Sequence, residues 1–189
     1  MFSVAGLIIA ASVSAQTNIE SFNNDIATLN RNESATKKEK KEERKELRKL
    51  KGHEVSYQSR QAFYADFGDL PVSKWDRTIN FDEATFNNNG QVMTAFYDIE
   101  SKLVGTVSSK TFADLPPNAQ KYIGDKYKEY TPKSVIFFDD NEVNQTDMVL
   151  FGTQFDDEDN YFVELQKDNK KIVMKVTMNG NVEYFTQMK

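Results

Sequence analysis

Asn87-Asn88-Asn89-Gly90-Gln91-Val92-Met93-Thr94-Ala95-Phe96-Tyr97-Asp98 decides the fold class. Asn and Gly tolerate positive φ, so the first four residues mark a hairpin turn. Gln91 to Asp98 then reads as a strand, because β-branched and aromatic side chains suit a pleated, half-buried surface. A short strand over Ala84 to Asn87 leads into the turn. A second turn at Glu100-Ser101 sends the chain back along Lys102 to Ser108. Gaps this short pair neighbouring strands antiparallel.

Upstream, Trp75 to Phe81 alternates with period two and predicts another strand. Before it, Gln58 to Phe67 predicts an amphipathic helix with Ala62, Phe63, Tyr64, Ala65 and Phe67 crowding one side. Gly68 closes this helix and Pro71 prevents its continuation. Downstream, Pro117 opens a second helix that is expected to run to Tyr130, with Ala119, Tyr122, Ile123, Tyr127 and Tyr130 at helical spacing. Strands are expected over Lys133–Phe138, Met148–Phe155, Tyr161–Gln166, Ile172–Met178 and Asn181–Thr186. Turn clusters at Asp139–Asn144, Asp156–Asn160, Asp168–Lys170 and Asn179-Gly180 separate them.

The order helix, strand, strands occurs twice. Gln61–Phe67 followed by Trp75 matches Gln120–Tyr127 followed by Val135 at an offset of 59 to 60, and Val92–Phe96 resembles Val173–Thr177. The expected class is α+β. Two tandem helix-plus-β-meander units, 54–112 and 113–189, would form one antiparallel sheet with two helices on one face.

The chain before residue 54 reads differently. Val4 to Val13 is almost wholly apolar but too short to span a bilayer. Small residues at Ser12 (or Val13) and Ala15 fit a signal peptide over 1–15, cut after Ala15, although no Lys or Arg precedes Arg31. Residues 16–53 then read as a charged, partly helical linker. The formal charge of −5 conceals +3 over residues 1–51 and −8 over 52–189. Nine Lys/Arg against four Glu lie between Lys37 and Lys51. That run is a solvated spacer or an attachment to an anionic surface such as the cell envelope. The expected location is periplasmic or secreted, with no membrane span after signal cleavage.

Composition excludes most chemistry. With no Cys, a disulfide framework, a Cys-ligated metal and a thiol nucleophile are out. His53 is the only His, which excludes paired-His metal motifs and leaves a Ser-His-Asp site only if the linker folds back. The eight Gly form no phosphate loop, and an acidic body argues against nucleic acid. Asp139-Asp140 and Asp156–Asp159 fall in expected turns, where solvated carboxylates are poor acid/base pairs. Asp140, Glu142, Asn144 and Asp147 do not fit a calcium loop, since its sixth and twelfth positions hold Gln145 and Phe151. No cofactor, metal or catalytic residue is expected, and the chain is read as a non-enzyme.

Three stretches carry a resemblance: Asn89–Asp98, Ala113-Asp-Leu-Pro-Pro117 opening a helix, and Met178-Asn-Gly-Asn-Val182 with Tyr184-Phe185 near the end. Over about 55–189 they resemble the PepSY-like family of secreted bacterial proteins, itself similar in fold to the beta-lactamase-inhibitor protein. The resemblance implies a curved sheet of tandem α/β units, export, and binding or inhibition instead of catalysis. Its motifs are turns and caps, so no contact residue is carried over.

Fourteen Phe and eight Tyr are too many for one helix layer to cover. Phe96 and Tyr97 must point to opposite faces, and Ile136-Phe137-Phe138 and Val149-Leu150-Phe151 do the same. The surplus either lies under loops or forms a recognition face. Tyr97, Phe138, Phe151, Tyr161 and Tyr184 are the candidate binding residues on that open face. The expected function is an exported, non-catalytic module that recognises an unknown protein or peptide there, with inhibition of a hydrolase among its actions. The alternative is a structural or envelope-associated protein adhering through its basic spacer.

Overall fold

The computed structural model describes Glu46, Gly52 and residues 54–188. The signal peptide, nearly all of the linker including Lys37–Lys51, and His53 therefore lie outside the described residues. The chain divides into two compact units, Met1–Glu54 with Arg77–Phe81, and Val55–Asp76 with Asp82–Lys189. In the first, the described residues form a turn closed on Thr78, whose N–H donates to the Phe81 carbonyl at 2.9 Å. No helix among the described residues is long and apolar enough to cross a membrane.

The second unit opens with α1 (Tyr57–Phe67). Ser56 caps it, its Oγ accepting from the Ser59 N–H at 2.9 Å, and Gly68 ends it at φ 69°. Strands β1 (Val72–Arg77), β2 (Asp82–Asn88), β3 (Gln91–Tyr97) and β4 (Leu103–Lys110) follow. A 3-10 turn over Phe112–Asp114 leads to α2 (Pro117–Lys126). Then come β5 (Thr131–Asp140), the short β6 (Met148–Leu150) and β7 (Thr153–Phe155), β8 (Asn160–Lys167), β9 (Lys170–Thr177) and β10 (Val182–Met188). Eight strands form one sheet in the order β1-β2-β3-β4-β5-β8-β9-β10, while β6 and β7 pair only with each other. The α+β class and the large antiparallel sheet are as expected.

The differences have local causes. The expected strand Trp75–Phe81 breaks at Arg77, because the hydroxyl of Thr78 accepts from the Phe81 N–H at 3.0 Å and folds a turn there. The second helix stops at Lys126. The Tyr127 N–H still donates to Ile123, but Tyr130 turns back onto the Tyr127 carbonyl at 2.8 Å. Pro132 disfavours helix at Thr131, so β5 begins there, with a bulge between Pro132 and Ser134. The single strand expected over Met148–Phe155 is a hairpin, because Phe151 and Gly152 both take positive φ (51° and 75°) and reverse the chain.

Two apolar clusters seat the helices. α1 buries Phe63 against Ala84, Phe86, Ala95 and Tyr97, with Trp75 and Leu103 at the margin. α2 buries Ala119 and Ile123 against Val135, Val163, Leu165, Ile172, Met174 and Val176. Ala95 pairs through Thr106 to Asp139, which shares a strand parity with Val135. Both helices therefore pack on the same face of the sheet.

Candidate functional site

The face opposite the helices follows from the ladder. Residues directly across from one another share a side, and neighbours along a strand alternate. One row runs Thr85, Thr94, Val107, Phe138, Asn160 across β2, β3, β4, β5 and β8. The next runs Ser109, Ile136, Phe162, Lys175, Glu183 from β4 to β10.

These rows have two halves. Over β2 to β4 the face carries the short, half-buried side chains of Thr85, Thr94 and Val107, while Phe96, on the same face of β3, is buried. Thr85 and Thr94 lie within 3.3 Å through their hydroxyls, Val107 is half-buried, and Val92 is exposed. Over β5, β8 and β10 the β6–β7 hairpin lies across the face. Phe155 meets Phe138 edge-on at 5.3 Å, Phe162 at 4.9 Å and Phe185 at 5.8 Å, and Phe151 stands 6.2 Å from Phe162.

The five candidate aromatics separate accordingly. Tyr97 is fully buried in the α1 cluster on the helix side, with its hydroxyl donating to the Asp66 carboxylate at 3.0 Å. It is not on the open face, because β3 aims its odd residues at α1. Phe138 points to the open side but is fully buried under the hairpin. Tyr161 is half-buried on the helix side, 4.8 Å from Phe137. Tyr184 is 57% exposed, yet it pairs with Met174 and so belongs to the helix side of an edge strand. Phe151, at the hairpin tip and 38% exposed, is the one of the five that is exposed toward the open side. The structure does not bring these residues together. The residues the sequence reading missed are Val92, Thr94, Thr85 and Val107, whose only signal was their strand parity.

Of the two acidic clusters, Asp156, Asp157 and Glu158 are exposed between β7 and β8 as expected, and Asp139-Asp140 departs from the expectation. Asp139 and Asp140 end β5 inside the ladder with β4 and not in a turn, Asp139 exposed and Asp140 half-buried. The Asp140 N–H donates to Asp159 Oδ1 at 2.8 Å. Burial, and then the neighbouring charges of Asp157, Glu142 and Asp159, push Asp140 up to about 6. Burial and Asp159 also raise Asp139, while Lys110 opposes the shift. Among the described residues no group of three or more His, Asp or Glu could hold a metal ion.

Two polar knots hold the edges of the site. Asp82 Oδ2 accepts from Ser59 Oγ at 2.7 Å and from the Ser56 N–H at 3.1 Å, pinning the start of α1 to β2. Asp98 accepts from the N–H groups of Glu100 and Lys102 at 2.8 and 3.0 Å through Oδ1. Its Oδ2 takes Asn144 Nδ2 at 2.9 Å, which ties the segment before β6 to the β3–β4 turn.

No family model matches the chain, and no curated protein matches it. Solved structures do. A DUF2874 family protein from Bacteroides uniformis superposes with a TM-score of 0.58 at 14% identity, covering 71% of this chain and 90% of its own. A BLIP-like protein from Bacteroides fragilis gives 0.53 at 14% identity, covering 71% and 86%. The fold is BLIP-like. A candidate periplasmic protein from Bacteroides eggerthii gives 0.57 at 13% identity, covering 71% and 89%. At these identities the likeness is one of fold.

Proposed function

We propose that this chain is an exported, non-catalytic binding module that recognises a protein or peptide through the sheet face opposite its helices. The observation that carries the reading is the two-sided sheet. Both helices lie on one side, and the other presents short β-branched residues over β2 to β4 beside the exposed tip of the hairpin. A partly apolar face of short side chains leaves room for a partner that brings its own larger side chains. The BLIP-like neighbour supports a binding role, and inhibition of a hydrolase is the form of it we favour. The order α1, four strands, α2, then strands again supports two tandem units and a PepSY-like ancestry. The apolar stretch before Ala15 and the periplasm-associated neighbour support export.

The test uses the full mature chain as bait in native envelope extract, beside a Val92→Glu/Val107→Glu variant and a helix-side Tyr122→Glu variant. The expected partner is retained by wild type and Tyr122→Glu and lost by the double variant. A partner that the double variant retains overturns the reading. The Lys37–Lys51 run carries a second reading, adhesion to the anionic envelope. Envelope association that survives both deletion of this run and high salt refutes it.

A further inference from the structure

The β6–β7 hairpin has no ladder partner beyond itself, and each of its strands has three residues. Two-stranded hairpins are marginal alone, so ring packing must hold it on the sheet. Phe155 sits on Phe138 and Phe162, and Met148 is fully buried. Its tip places Phe151 in left-handed backbone, an uncommon conformation for a bulky residue.

Both stems of this hairpin are acidic. Asp140 and Glu142 lead into it, and Asp156, Asp157, Glu158 and Asp159 lead out. No Lys or Arg occurs from 134 to 166. With the hairpin down the stems touch, the Asp140 N–H on Asp159 at 2.8 Å, and Asp140 Oδ1 is buried with no hydrogen-bond partner among the described residues. The charges facing Asp140 are Asp157, Glu142 and Asp159, with the Asn141 N–H as the one opposing donor. Lys110 faces the neighbouring Asp139, and Lys175 is held by Glu158 and Glu183 at 3.3 and 2.9 Å.

We infer that the β6–β7 hairpin is a flap over the Phe138 and Phe162 rings, and that protonation of its carboxylate stem favours closure. Lifting the flap separates the stems and returns Asp140 to water. As a control on binding, the flap rests on the function proposed above. Its motion does not, since it is measured on the protein alone. The sign follows from linkage. Burial and like charge raise Asp140 to about 6 in the closed form, against an ordinary value of 3.8. The closed form thus binds the proton more tightly, and closure strengthens as pH falls through 6. With those two values, opening is about tenfold rarer at pH 5 than at pH 7.5. Solvent screening at this partly exposed site reduces the expected effect to about fivefold.

Hydrogen exchange on the full chain at pH 5 and pH 7.5, corrected for intrinsic rates, tests this. Amides of 148–155 should gain about fivefold protection at pH 5 relative to those of β8 and β9. Asp140→Asn should show the low-pH protection at both pH values. Asp157→Asn, on the other stem, should weaken the pH response if Asp140→Asn does not fold. Equal hairpin protection at the two pH values, or an undiminished ratio in the folded variant, overturns the inference. A flap that responds to pH in a protein that captures no partner leaves this inference standing and removes only the proposed function.

Discussion

Replacing Gly105 by Ala probes how the sheet seats the rings on its open side. Gly105 lies in β4 between Phe96 and Asp140 across the ladder. An added Cβ would stand 2.5 Å from the Asp139 carbonyl oxygen and 2.6 and 2.7 Å from Phe138 Cε2 and Cζ. The carbonyl belongs to the β4–β5 ladder, and the ring is held by Phe155, so neither moves freely. Overpacking of this kind costs about 1–3 kcal/mol, and backbone contact places it near the upper end. Ala in a strand recovers about 0.5–1 kcal/mol of chain entropy relative to Gly. The net loss is about 2 kcal/mol, or a Tm lower by roughly 6–10 °C for a body of this size. Urea unfolding should show a lower midpoint with an unchanged slope. Phe138→Leu removes the two ring atoms in question. The double variant should therefore lose about 1 kcal/mol less than the sum of the singles. Gly105→Ala at or above wild-type stability, or strict additivity with Phe138→Leu, would refute the seating argument.

Three further outcomes follow from the same geometry. Tyr97→Phe removes the hydroxyl that donates to Asp66 and should cost about 1 kcal/mol in chemical unfolding. Burial, and then Asp66, raise the Tyr97 hydroxyl beyond the tyrosine range, so its stabilisation is intact below pH 10 and declines above it. Alkaline absorbance titration should show one late-ionising phenol, and that late phase should vanish in Tyr97→Phe. Asp98→Ala strands the donors of Glu100, Lys102 and Asn144, so a loss of about 2–3 kcal/mol is expected, with faster hydrogen exchange over 141–147. Asn89 sits at φ 53° in the two-residue β2–β3 turn, and Asn89→Ala should cost about 1 kcal/mol by thermal unfolding, most of it restored in Asn89→Gly.

Turn chemistry made much of the fold legible. Asn89-Gly90 fixed the β2–β3 register, Pro117 fixed the start of α2, and Gly68 fixed the end of α1. Phe151-Gly152 was hidden because Val149-Leu150-Phe151 reads as an apolar strand, and nothing local announces that a Phe will accept positive φ. The strand parity rule separated Phe96 from Tyr97 correctly, but assigning Tyr97 to the open face required knowing which parity meets α1. That depends on how Ala84, Ala95 and Phe63 pack, which is a tertiary fact. The acids at Asp139-Asp140 were mistaken for turn residues because β5 continues through them, held by its ladder to β4 against their low strand propensity.

The aromatic excess thus has a specific explanation. An eight-stranded sheet with two helices on one side leaves a second side to cover. Here the chain covers half of it by inserting a hairpin between β5 and β8. Phe138, Phe155, Phe162 and Phe185 belong to that second layer, so they are core residues, and their abundance says nothing of a partner. The surface left for recognition is the other half, where Thr85, Thr94 and Val107 are too short to anchor in a partner's pocket. A partner docking there must supply the large side chains itself. Substituting Thr94 or Val107 by larger residues should then block binding by occupancy, whereas truncating them to Ala should change affinity little. The opposite pattern, loss on truncation and tolerance of bulk, would place the contact surface elsewhere on the molecule.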